Sequence, residues 1–100
     1  MGTKLTAEDA GAYEALDRLL FRQWDPIGVY DIDGLDDEYR AYLPGFWELV
    51  RLGSPEAEVI EYLAKIERER IEFETSDAHR LDIVRKAFAL VAAWRLPVRP

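Results

Sequence analysis

Trp24-Asp25-Pro26-Ile27-Gly28-Val29 is the stretch on which the reading of this chain turns. Asp25, Pro26 and Gly28 hold the first, second and fourth positions of a type I turn, where those residue types are favoured. Pro26 presets φ, and the Asp25 carboxylate is placed to accept a backbone N–H two or three residues on. A residue that precedes proline is driven out of the helical region, so a helix arriving from the N-terminal side should stop near Trp24. Trp24 is then the last large residue of that helix and can fold over the turn. Ile27 and Val29, apolar within a loop, pin it to the core. Trp24, Asp25, Pro26, Ile27, Gly28 and Val29 are therefore expected to act as a structural clasp.

Upstream, Tyr13, Leu16, Leu19, Leu20 and Trp24 recur mostly at steps of three and four, the helical period. A first helix is predicted over 7–23, with Thr6 as N-cap and Glu8 and Asp9 complementing its dipole. Gly11 weakens its first turns by roughly 1 kcal/mol relative to Ala, or permits close packing. Downstream, Asp33-Gly34 is a second turn signal, and Asp36 is the favoured N-cap of a second helix. The stripe Tyr39, Tyr42, Leu43, Phe46, Leu49 and Val50 keeps phase through Pro44-Gly45. That favours one helix kinked at Pro44, which lacks the N–H owed to Arg40 and clashes with its carbonyl.

Leu52-Gly53-Ser54-Pro55 is the clearest boundary, with Gly53 at C′, Ser54 as the next N-cap and Pro55 at N1. A third helix runs to about residue 73, with Val59, Ile60, Leu63, Ile66 and Arg70 or Ile71 on one side. Glu61 and Lys65 are spaced for an i,i+4 pair, and Glu67-Arg68-Glu69-Arg70 alternates in sign, which reads as a solvated face. A fourth helix, capped within Thr75-Ser76-Asp77, runs to Arg95, and Leu96-Pro97 stops it. Leu81, Val84, Phe88, Val91 and Ala92 form its stripe, widened by Ile83, Ala87 and Trp94. So wide an apolar arc suits a central helix with several neighbours, or one with a face left for a partner. The fold expected is all-α, a small four-helix bundle-like domain with a long ordered loop between helices one and two. It is read as a single domain over 1–100, frayed at 1–6 and 97–100.

Composition supports a folded globule: 49% of the residues are apolar and 12% aromatic. No apolar run approaches the length that spans a bilayer, and no charged-then-apolar leader is read at the N-terminus. The absence of cysteine rules out disulfides, thiolate nucleophiles and thiolate metal sites. The compartment expected is the cytoplasm. Residues 1–50 hold four Lys or Arg against eleven Asp or Glu, and residues 51–100 hold nine against nine. The net charge of −7 therefore sits in the first half, where it repels nucleic acid and anionic membranes and attracts a basic partner.

The constellations that would carry chemistry are weak. Asp31 to Glu38 is rich in carboxylates suited to a hard cation, but no register of the calcium loop fits. With Asp31, Asp33 and Gly34 at loop positions three, five and six, Val29 and Arg40 fall where the first and last ligands belong. Capping and solubility account for the run, and no metal or cofactor is expected. His79 is the only histidine, so no histidine pair can be built, and Ser76 stands where a Glu-x-x-His motif would need its glutamate; a surface position is expected. Ser54 and Ser76 lie outside any nucleophile elbow, and there is no phosphate-binding glycine pattern. No catalytic residue is singled out, and the chain is read as a non-enzyme.

The aromatics are placed unevenly. Tyr13, Phe21, Trp24, Tyr30, Tyr39, Tyr42, Phe46 and Trp47 all lie in the acidic half. Tyr and Trp ringed by carboxylates resemble the anchors and rim of a protein interface. Tyr30, Asp31, Asp33, Asp36, Asp37, Glu38, Tyr42 and Trp47 are the candidate interface.

The hexapeptide, followed by Asp37-Glu38-Tyr39 and Tyr42, resembles a family of small bacterial helical proteins of unknown function, marked by W-D-P-I-G-V and a downstream D-E-Y-x-x-Y. The likeness extends through Leu49, Gly53-Ser54, Tyr62-Leu63 and Ile66-Glu67, about residues 15–72. Arg40 departs from it, standing where the family has an acid. The resemblance implies an all-helical bacterial cytoplasmic domain and brings no activity. The function expected is protein binding through the acidic aromatic face, toward a basic partner, as in an immunity or antitoxin protein. The alternatives are a small-ligand or metal-binding domain, using a pocket between the loop and helix two, and a homo-oligomer formed through helix four.

Overall fold

The computed structural model describes residues 7–25, 28 and 39–95. These form four α-helices in sequence: α1 (Ala7–Leu19), α2 (Leu43–Arg51), α3 (Glu56–Ile66) and α4 (Asp77–Arg95). There is no strand among the described residues, and the chain is all-α. No helix among them is long and apolar enough to cross a membrane.

Two of the helices widen before they stop. α1 runs on into a π-helical turn, Leu20–Trp24, closed by the Asp25 N–H on the Leu20 carbonyl at 3.0 Å. α3 runs on into Glu67–Ile71, closed in the same way by the Glu72 N–H on the Glu67 carbonyl. Each ends on an acid with positive φ: Asp25 at 29° and Glu72 at 61°. Non-glycine residues seldom hold such values, although aspartate tolerates them better than most.

The core draws on every helix. Leu16, Leu20, Trp24, Leu43, Phe46, Val59, Leu63, Ile83 and Val84 are almost entirely buried. Each large apolar side chain so buried contributes about 1.5–3 kcal/mol. α4 packs against α1, α3 and α2, which makes it the central helix. Its buried line is Ile83, Val84, Ala87 and Val91, whereas Leu81 and Phe88 only flank it and Ala92 is exposed. The stripe expected from sequence is thus rotated toward Ile83 and Ala87.

Local details differ from the sequence expectation in three places. Pro44 does not kink the interior of a helix. A 3-10 turn, Arg40–Tyr42, leads directly into α2, so Pro44 falls in its first turn. A missing N–H costs little there, because the first N–H groups of a helix have no intrahelical partner. At the next boundary Gly53 does end α2, at φ 70°, with Gly53 N–H on Val50 O and Ser54 N–H on Leu49 O, both 3.1 Å. That bond pair is a Schellman closure. α3 then starts one residue later than expected, with Pro55 at the N-cap and no side-chain bond from Ser54. The third difference is Trp47. It is 5% exposed and meets Tyr13 edge-on at 5.7 Å, so it is a core residue and not an interface anchor.

Candidate functional site

α3 carries a carboxylate into the core. Glu67 follows Leu63 by four residues and Val59 by eight, in register with the buried stripe, and its side chain is fully buried. An unpaired carboxylate there would be prohibitive, so its partners decide whether the fold tolerates it. They come from three other segments. The Trp24 indole Nε1–H donates to Glu67 Oε2 at 2.7 Å. The Thr75 N–H donates to Oε1 at 2.6 Å, and the Thr75 hydroxyl lies at 3.0 and 2.9 Å from the two oxygens. Arg80, on the first turn of α4, donates Nε and Nη2 to Oε1 at 3.2 and 2.9 Å. Burial pushes the Glu67 carboxyl up, but the bonds from Arg80, Thr75 and Trp24 outweigh it and hold the group below the usual carboxylate range.

Arg80 is satisfied with equal completeness. Nη1 donates to Asp77 Oδ1 at 2.7 Å and Nη2 to the Thr75 carbonyl at 2.9 Å, while Glu74 stands 3.6 Å away. Burial works against its charge, and Glu67 and Asp77 more than restore it. No buried side-chain nitrogen or oxygen among the described residues lacks a hydrogen bond. Such a network fixes geometry and leaves no group over for proton transfer.

A second set of bonds joins the two ends of the segment 26–38. The Tyr39 hydroxyl donates to Asp25 Oδ1 at 2.7 Å across fourteen positions of sequence. The Tyr39 ring lies 5.2 Å from Trp24, and the Tyr42 ring is edge-on to Trp24 at 6.3 Å. Asp25 also closes a turn, its carbonyl accepting the Gly28 N–H at 3.2 Å, with Gly28 at φ 67°. Its carboxylate accepts the Tyr39 hydroxyl, so Asp25 serves both the turn and the tie to Tyr39. His79 lies 2.9 Å from the Trp24 carbonyl through Nε2. A carbonyl only accepts, so Nε2 carries the proton and caps the end of the π turn. His79 is half-buried and bonded, whereas the sequence suggested a surface position. Ser76 Oγ accepts the His79 N–H at 3.0 Å and is the side-chain cap of α4.

Beside this core lies an open cleft of about 560 Å³, lined by Ala41, Tyr42, Tyr62, Lys65, Ile66, Glu69 and Arg70. Its walls are tied together by the Tyr62 hydroxyl, which donates to the Tyr42 carbonyl at 2.8 Å. That approach depends on Gly45, where a β-carbon would collide with the Tyr62 ring and hydroxyl. Burial, and then the nearby Tyr42, raise the Tyr62 phenol above its ordinary value.

Of the residues singled out in the sequence, the structure brings Trp24, Asp25, Tyr39 and Tyr42 into one aromatic and polar cluster. Gly28 adjoins it and is exposed. Pro26, Ile27 and Val29 of the clasp, and Tyr30, Asp31, Asp33, Asp36, Asp37 and Glu38 of the candidate interface, lie outside the described residues. Among the described residues no group of three or more carboxylates or histidines is placed to hold a metal. Sequence alone does not single out Glu67 or Arg80 as site residues, because the charge alternation around Glu67 reads as a solvated face. The signal that would have found them is phase. Arg80 precedes Val84, Ala87 and Val91 by four, seven and eleven residues, as Glu67 follows Val59 and Leu63. Compared with protein-family models, with curated proteins and with solved structures, the chain matches none.

Proposed function

We propose that this chain is a protein-binding domain that presents an acidic segment, residues 31–38, to a basic partner. The observation that carries the reading is the Tyr39–Asp25 hydrogen bond. It joins the two ends of a segment that holds five carboxylates and no Lys or Arg. Trp24, anchored through its indole on Glu67 and through its carbonyl on His79, seats that junction on α3 and α4. A partner then meets the negative charge of a segment whose flanking residues are tied together, which favours fast, salt-sensitive association. In this reading Trp24, Asp25 and Tyr39, which carry part of the resemblance to the W-D-P-I-G-V family, form the seat of the segment, and an immunity or antitoxin role fits a domain that blocks a basic protein.

The test is affinity capture followed by calorimetry with each partner identified. Asp36→Lys, Asp37→Lys and Glu38→Lys together should abolish binding while leaving the melting temperature close to wild type. Unchanged affinity for every captured partner sinks the proposal.

A further inference from the structure

Basic side chains are scarce in this acidic molecule, and most of those in the second half are paired. Arg51 meets Glu48, Arg68 meets Glu61, Arg80 meets Glu67 and Asp77, Arg85 meets Glu56, and Lys86 meets Asp82. Lys65 and Arg70 differ. Both are exposed, and neither has an ion pair or hydrogen bond among the described residues. Both line the cleft, where Glu69 is the single carboxylate among the described residues. The expected Glu61–Lys65 pair does not form, because Glu61 is taken by Arg68 at 2.8 Å.

We propose that this cleft binds a small organic monocarboxylate, its charged end between Lys65 and Arg70 and its apolar body against Tyr62 and Ile66. Three features select that chemistry. The volume lies within the range of small-molecule sites, about 300–1,000 Å³. Among the described lining residues, two cations against one carboxylate leave a single positive charge, which matches one carboxylate and disfavours a multiply charged anion. Arg70 supplies a planar fork suited to two carboxylate oxygens. The Tyr42 hydroxyl, without a hydrogen bond among the described residues, is a further donor on the same wall. The walls are preformed, since the Tyr62–Tyr42 bond and the bare Gly45 hold α3 against the start of α2. No described lining residue belongs to the acidic segment, and the two proposals are tested by different variants and so fail separately.

The probes are benzoate and, as the cationic counterpart, benzylamine, each titrated into the full chain and followed by amide chemical shifts. Benzoate should give saturable shifts confined to residues near 41–45 and 62–70, with a Kd of roughly 1 mM, as befits a fragment. Benzylamine should give none there. Lys65→Gln and Arg70→Gln, exposed and unpaired in the parent, should fold normally and weaken benzoate at least fivefold, while Glu69→Gln should tighten it. Shifts that do not saturate, equal binding of benzylamine, or an unchanged Kd in both the Lys65→Gln and Arg70→Gln chains would overturn the site.

Discussion

Glu67 and Arg70 lie within one helical turn of each other, yet they obey opposite rules. Glu67 faces inward, wholly removed from water, and every lone pair it offers is met by Trp24, Thr75 or Arg80. Arg70 faces a cleft, keeps its hydration and has no protein partner among the described residues. One face spends its charges on holding three helices together; the other leaves them accessible. A charged residue on this helix therefore says little by its type, and its role is set by what the neighbouring segments bring to it.

The contrast is most sharply tested by truncation. Glu67→Ala takes from Arg80 its buried carboxylate and leaves it Asp77, Glu74 and the Thr75 carbonyl, and breaking a buried pair from one side costs about 3–5 kcal/mol. Urea or thermal unfolding should show that loss, and Arg80→Ala should show a loss of similar size. If either variant stays within 1 kcal/mol of wild type (roughly the range of a surface change), the buried pair is not holding the fold.

The pH dependence follows from the same bonds. Glu67 titrates below its unfolded value, so the unfolded state binds the extra proton first as pH falls. Its stabilising contribution is therefore fully present above the unfolded carboxylate pKa, about 4.3, and is lost as pH drops through the lower folded value. Wild type should lose stability steeply below about pH 4, and Glu67→Gln should show a shallower acid limb from a lower plateau. Parallel acid limbs would mean that other carboxylates govern acid unfolding.

Two changes probe the supports of each face. Trp24→Phe removes one donor to the buried carboxylate, for a loss of about 1–3 kcal/mol. Gly45→Ala forces Tyr62 away from the Tyr42 carbonyl, and such overpacking costs about 1–3 kcal/mol. Lys65→Gln with Arg70→Gln should have the smallest effect, within about 0.5 kcal/mol, because no hydrogen bond or ion pair among the described residues is lost. A larger change in that double variant would mean that these cations brace the fold after all.

The periodicity of the chain determined a good deal without any structure. Apolar steps of three and four placed four helices, Gly53 marked the end of one, and the Asp25-Pro26 pair marked the end of another. These are local rules, in which a residue acts on the backbone within a few positions, so a linear string contains them. Pro44 shows their limit: the same residue breaks a helix interior and suits a first turn, and only the position of the helix start decides between them. Glu67 and Trp47 depart from the sequence expectation for a different reason. Charge alternation and an off-line tryptophan describe a helix alone, whereas burial depends on which helix packs opposite and what it offers. The tertiary structure supplied Trp24 and Thr75 to Glu67, Tyr13 to Trp47, and Tyr39 to Asp25, from as far as forty-three residues away in sequence. Hydrogen bonds and ring contacts act over a few ångströms of space and not of sequence, so only the assembled fold could name those partners.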